Sequence, residues 1–268
     1  MADWSEIENL IPVYKKTFEE VLDFEKFNRI AMSFHSTAIE GSTLTLAESE
    51  LLLDKGLTPK GKPLIHQNMV LDHHAALAFT LEMAKKKTPV TVPFIQDIAG
   101  RVMKNTGTIY TTALGVYDVS KGDLRLHNVR AGEQYFVNYD KVKGLLDQLV
   151  HETQEQLSQV KSIIEILQLS FKVHFDLVTI HPFGDGNGRT SRLLMNFIQH
   201  YNNLPVAPVH SEDRGEYINA LMQSRGKKSL DPFYEFMAAQ YLKHLRTEIE
   251  KYQSQISSPP APLRGGEG

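Results

Sequence analysis

Over most of the chain, apolar residues recur at the three- and four-residue spacing of helices instead of alternating as they would in strands. A first helix is predicted from about Asp3 to Asp23. A second carries Phe27, Ile30, Ala31, Phe34 and Ala38 on one face and stops at Gly41. Thr45 and Glu48 have capping-box spacing and open a short helix that ends at Gly56. After a loop from Leu57 to Pro63, a helix is expected from Leu64 to the Lys85-Lys86-Lys87 run, whose cations complement a helix C-terminus. Another starts near Pro93, a residue suited to a first helical turn.

Val116 to Val137 breaks this rhythm. Gly115, Gly122 and Gly132 punctuate short apolar pieces, and Ser120-Lys121-Gly122-Asp123 reads as a turn, so a β-hairpin is placed here. Asn138 suits the cap of a helix carrying Val142, Leu145, Leu146 and Leu149. One long apolar segment then runs from about Leu157 to Ile180. Helices are expected over Thr190 to Tyr201, Arg214 to Ser224, and Leu230 to about Gln253, with a flexible Pro/Gly-rich tail at 254–268. The fold class is therefore mainly α with one small β-hairpin.

Composition narrows the function more than the fold. A net charge of −3 and the lack of a basic stripe argue against a nucleic-acid partner. No stretch approaches the roughly 20 apolar residues of a membrane helix, and the opening MADWSEIENL lacks the pattern of a secretory signal, so a cytoplasmic protein is expected. With no cysteine, thiolate chemistry and disulfides are excluded. His35, His66, His73, His74 and His127 show no carboxylate–histidine spacing that argues for a histidine-based metal site; the adjacent His73 and His74 point apart on a helix.

The densest chemistry lies in HPFGDGNGRTSR, residues 181–192. Pro182 disfavours helix at the residue before it, so the preceding helix should end at His181. Apolar periodicity resumes beyond Asn187, which puts the glycines at a helix N-terminus, where unpaired N–H groups and the positive dipole end attract an anion. Arg189 and Arg192, three residues apart, share a helix face and can reach one anionic ligand. Asp185 beside such a ligand calls for a hard cation between them, Mg²⁺ held by one carboxylate, phosphate oxygens and water. His181 is the side chain suited to accepting a proton near neutrality. An uneventful glycine-rich helix start is the plainer reading, and His, Asp and two Arg at this spacing weigh against it.

The stretch resembles, at every fixed position, the signature of Fic-domain proteins, His-Pro-Phe-x-Asp/Glu-Gly-Asn-Gly-Arg-x-x-Arg. The resemblance implies a helical Fic bundle with a hairpin flap over the active site, dividing the chain into an N-terminal helical region at 1–110, a catalytic core at 111–253 and the tail. It implies AMP transfer from ATP to a Ser, Thr or Tyr hydroxyl of a protein target, with the chain itself one candidate. His181 would be the base and Asp185 the Mg²⁺ ligand. Gly186, Asn187 and Gly188, with the Asn187 side chain, would hold the α-phosphate, and Arg189 and Arg192 the outer phosphates. Phe183 would anchor the loop. Gly188 follows the AMP-transferring branch, because the kinase-like Doc branch carries lysine there. Asp123, Leu124, Arg125 and Leu126 fall where relatives have a flap that aligns the target, and Tyr217 and Ile218 where they line an adenine pocket; Tyr217 reads equally as a helix-packing aromatic.

A second motif, Ser36-Thr37-Ala38-Ile39-Glu40-Gly41, leaves a carboxylate at a helix C-terminus, where it is either solvated or paired with a cation. It resembles the inhibitory motif of Fic proteins with a leading inhibitory helix, here about 27–41. That likeness implies that Glu40 pairs with Arg192 and blocks productive ATP binding. Removal of AMP by the same site, and a nucleotide-sensing module without catalysis, are the alternatives. A homodimer is left open by the resemblance.

Overall fold

The computed structural model describes residues 3–257 apart from 20, 22 and 133; the part of the expected tail from 258 onward lies outside the described residues. It contains α1 (Trp4–Phe18), α2 (Phe24–Ile39), α3 (Leu46–Lys55), α4 (Leu64–Lys85), α5 (Val92–Val102), β1 (Ile109–Thr112) and β2 (Gly115–Asp118). These are followed by β3 (Arg130–Ala131), β4 (Gln134–Tyr135), α6 (Tyr139–Gln159), α7 (Ile163–Ile180), α8 (Asn187–Tyr201), α9 (Arg214–Lys227) and α10 (Asp231–Ser257). The architecture is mainly helical with a small antiparallel hairpin.

The helix ends follow local chemistry. Asp3 caps α1 by accepting from the N–H groups of Ser5 and Glu6. The Thr45–Glu48 capping box opens α3, and Gly56, left-handed at φ 66°, closes it. Two boundaries differ from the sequence expectation. The stretch from Asp3 to Asp23 ends as helix at Phe18, with Asp23 left-handed ahead of α2. The single segment expected from Leu157 to Ile180 is broken at Val160, and α7 restarts behind a second capping box, Ser162 with Glu165.

The hairpin also differs. β1 and β2 pair antiparallel with Tyr110 opposite Tyr117, upstream of the position expected. The predicted turn at Ser120–Asp123 is instead a 3-10 turn, Val119–Lys121, closed by left-handed Gly122. A Cβ on Gly122 would collide with the carbonyl oxygen of Gln96 on α5, so the close approach of this turn to α5 requires glycine. A second, two-residue pairing joins β3 to β4.

Helices α7 and α8 form the centre. One apolar cluster on their flank gathers Leu77 of α4, Ile95 and Ile98 of α5, Leu146 of α6, Leu177 of α7 and Leu193 and Phe197 of α8. A second, on the other flank, gathers Ile7 and Ile11 of α1, Phe171 of α7, Met195 of α8, Tyr217 of α9 and Phe233 and Tyr241 of α10. Helix α8 is buried almost all round, which its sequence tolerates because its polar groups, some guanidinium nitrogens of Arg189 and Arg192 apart, find partners inside. Thr190 and Ser191 bond back to the carbonyls of Gly186 and Asn187, and Gln199 reaches Ser170 of α7. This rigid pair presents the 181–192 loop, and α2 packs across the start of α8.

Candidate active site

The loop is shaped by its own side chains. His181 ends α7 in the left-handed region at φ 53°. Phe183 is buried in the first apolar cluster, and its backbone bridges to Leu124. The Asn187 carboxamide spans the loop, accepting from the Phe183 N–H and donating to the Phe183 carbonyl, each at 3.0 Å. One amide N–H and the carbonyl oxygen of the Asn187 side chain, expected on a phosphate, thus hold the turn. Gly186, left-handed at φ 78°, opens α8 without a side-chain cap. The first-turn N–H groups therefore lack the side-chain oxygen that usually satisfies one of them.

His181 is set up to accept a proton. Its Nδ1 lies 3.3 Å from the Val178 carbonyl, to which it donates in the tautomer that leaves Nε2 with a free lone pair. Phe136 stacks on the ring at 3.7 Å between centroids and 15° between planes. Burial depresses the imidazole pKa to about 4, against the smaller opposing effect of the Val178 bond. Arg125 locks the peptide beneath it, donating from Nε to the His181 carbonyl at 2.8 Å.

Arg189 and Arg192 line the cradle, both buried. Arg189 Nε and Nη1 and Arg192 Nη1 have no hydrogen-bond partner in their buried positions, the kind of deficit an anionic ligand fills. Asp185 is 65% exposed, 3.6 Å from Arg189, and accepts from the Gly186 N–H at 2.5 Å. A solvent-facing carboxylate oxygen beside an anion cradle fits the hard-donor demand of Mg²⁺.

Helix α2 closes this cradle. Arg192 donates from Nη2 to Glu40 Oε1 at 2.7 Å and to the Ser36 carbonyl at 2.9 Å, and from Nε to Ser36 Oγ at 2.9 Å. Burial alone would raise the Glu40 carboxyl, but the Arg192 charge and hydrogen bond outweigh it and hold the pKa below its ordinary value. The same Glu40 oxygen occupies the space a Cβ on Gly188 would need. Gly41, left-handed at φ 97°, turns the chain away after Glu40, and Arg214 donates to the Ile39 carbonyl at 2.7 Å, a cation at the end of α2.

The sequence-derived flap is corrected here. Asp123 to Leu126 forms no edge strand; its one bridge is Leu124 to Phe183, and Asp123 accepts from the Asp118 N–H. Arg125 is 1% exposed and bonds the carbonyls of His181, His127 and Val137, so its side chain is a strut, not a docking group. Leu126 packs against the first apolar cluster. Tyr217 is buried and bonds His174 at 2.9 Å, which favours the packing reading, while Ile218 on the same helix is 38% exposed. Sequence reasoning missed Phe136 and the internal role of Arg125. A cavity of about 750 Å³ between α1, α2, α4 and the end of α8 is lined by Tyr14, Phe24 and Arg29, among others, and by none of residues 181–192.

Residues 89–199 match the family model described as Fic/DOC. This segment is a Fic/DOC-family domain. The chain is 28% identical over 236 residues to protein adenylyltransferase fic-1 of Caenorhabditis briggsae, covering 87% of this chain and 43% of that protein. It is 30% identical over 206 residues to protein adenylyltransferase Fic of Nematostella vectensis, covering 76% of this chain and 45% of the relative. The chain thus spans less than half the length of these curated relatives. In fold, it superposes on a Fic domain-containing signaling protein from Bacteroides thetaiotaomicron with a TM-score of 0.79 at 22% identity, over 92% of this chain and 97% of the other. The Fic domain match ends at Gln199, so the signature loop and most of α8 lie inside it, whereas α2 with Ser36 and Glu40 lies outside.

Proposed function

We propose that this chain is a protein adenylyltransferase, moving AMP from ATP to a hydroxyl side chain of a protein target and restrained by its own α2. The observation that carries the reading is the cluster of unpartnered buried guanidinium nitrogens on Arg189 and Arg192 at an uncapped helix start, with His181 at its entrance. Backbone N–H groups of Gly186, Asn187 and Gly188 are assigned to the α-phosphate, and the two arginines to the outer phosphates. His181 Nε2 takes the proton of the target hydroxyl as its oxygen attacks the α-phosphorus and pyrophosphate departs. Asp185 would hold Mg²⁺, which supplies charge neutralisation on the phosphates when bound. Residues 1–110 act in this reading as the regulatory helical region and 111–253 as the catalytic core. Among the described residues no helix is long and apolar enough to cross a membrane, and a cytoplasmic setting suits an ATP-consuming enzyme without cysteine.

The test compares ATP labelled on the α- or the γ-phosphate, with Mg²⁺ and cell lysate, on wild type and Glu40→Gly. Protein-bound α-label supports the reading; protein-bound γ-label would make the chain a kinase. AMP removal is a second reading, favoured by the Glu40 carboxylate lying over Gly188 at the loop, and release of AMP from a modified protein by wild type but not by Glu40→Gly would select it.

The depressed His181 pKa predicts an unusual acid limb. Because the base stays neutral down to about pH 4, transfer by the Glu40→Gly chain should hold its rate through pH 6.5 and fall only well below it. Phe136→Ala uncovers the ring, relieves part of its desolvation and should move that limb upward toward the ordinary histidine value of about 6.5. A pH profile with the limb unchanged would mean the stack does not tune the base.

A further inference from the structure

The fold brings His35 against two side chains, His210 and Glu212, that lie more than 170 positions further along the sequence. His35 lies on α2, directly before Ser36, while His210 and Glu212 lie at the 3-10 turn Ser211–Asp213 that precedes α9. One ligand atom from each lies within 4.8 Å of the others. We infer that His35, His210 and Glu212 form a binding site for a borderline divalent cation of the Zn²⁺ type, pinning α2 to the turn.

The spacing suits such an ion. His35 Nδ1 is 3.8 Å from one Glu212 oxygen and His210 Nδ1 is 3.7 Å from the other. Four-coordinate zinc with bonds of about 2.0–2.1 Å holds its donors roughly 3.3–3.4 Å apart, so donors that lie within 4.8 Å of one another close in by up to about 1.5 Å, with Glu212 turning one oxygen toward both imidazoles. Two imidazoles and one carboxylate favour zinc, cobalt or nickel over Mg²⁺ and Ca²⁺, which take oxygen donors. The two histidine side chains are 14% and 10% exposed and Glu212 is 56% exposed, leaving one open side for entry and for a water ligand.

The support around the donors is in place. Gln240 accepts from the His210 N–H at 2.9 Å and also binds Asp213, fixing the turn. The site has competitors: Ser211 N–H and Oγ each lie 3.1 Å from His35 Nδ1, and Lys243 lies 3.0 Å from Glu212. A cation takes over that lone pair and displaces the ammonium, so binding is expected in the micromolar range and not in the range of a closed structural zinc site. Its consequence for regulation rests on the proposed function: His35 neighbours the serine that holds Arg192, so the bound ion stiffens the pose in which α2 closes the cradle.

The test is titration calorimetry of the full chain with ZnCl₂ in the presence of millimolar MgCl₂, for wild type, His35→Asn and the largely exposed Glu212→Gln. One ion per chain is expected, with affinity reduced at least about tenfold in each variant, and a Zn²⁺-dependent rise in Tm for wild type that Glu212→Gln lacks. Failure of saturable one-to-one binding, competition by Mg²⁺, or equal binding by wild type and Glu212→Gln overturns the site. None of these readouts depends on AMP transfer, so failure of the enzymatic reading leaves them interpretable.

Discussion

Replacing Glu40 by glycine is expected to raise α-label transfer roughly 30- to 160-fold, the factor corresponding to about 2–3 kcal/mol. That energy is the cost of pulling Arg192 from its carboxylate partner. A fully buried ion pair broken on one side costs about 3–5 kcal/mol; here Arg192 is buried but Glu40 keeps 34% of its side chain exposed, and solvent screens part of the attraction. Ser36 still accepts two hydrogen bonds from Arg192 in the variant, so release is incomplete, and Ser36→Ala added to Glu40→Gly should raise activity further. The same substitution leaves a buried guanidinium unpaired, so Glu40→Gly should melt at lower temperature than wild type without nucleotide. ATP with Mg²⁺ should restore its Tm while moving that of wild type little. The gain should also be flat between pH 6 and 8. A carboxyl whose folded pKa is depressed contributes its stabilisation above the unfolded value near 4.5 and loses it only as pH falls through the lower folded value. Measured transfer equal in wild type and Glu40→Gly, with ATP bound by both, would remove Glu40 from any inhibitory role.

What made the loop legible is that its chemistry is contiguous. His181, Asp185, the glycines and both arginines lie within twelve positions, and a helix stop at Pro182 followed by renewed periodicity places them at a helix start without tertiary information. The Glu40–Arg192 contact spans 152 positions. Residue chemistry alone left Glu40 solvated or paired, and the inhibitory motif was the signal that named a partner. Arg125 misled because its three acceptors are backbone carbonyls, which no side-chain pattern advertises, and a charge between two leucines reads as an exposed edge. The break before α7 was available: Ser162 and Glu165 have the same capping-box spacing that marked α3, but reading Leu157 to Ile180 as one apolar-rich segment concealed it. His35, His210 and Glu212 had no sequence signal, because their proximity depends on α2 packing against the turn that follows α8.

Substituting His181 should lower transfer by about 10²- to 10⁴-fold, the range for loss of a positioned general base, and leave nucleotide binding intact. The separation follows from geometry. The anion-facing donors belong to Arg189, Arg192 and the start of α8, whereas His181 turns Nδ1 toward Val178 and stacks on Phe136, taking no part in the cradle's unpaired set. Its backbone sits in the left-handed region, so His181→Asn is a better probe than alanine, since asparagine tolerates φ near 53° and keeps the Arg125 and Leu177 backbone bonds. Made in the Glu40→Gly background, His181→Asn should show the same ATP-dependent rise in Tm as its parent together with near-complete loss of α-label. Loss of both would assign His181 to the architecture of the loop, consistent with its position between Arg125 and Phe136. Loss of neither would mean that the target hydroxyl gives its proton elsewhere, and the acid limb expected from the His181 pKa would then belong to another group.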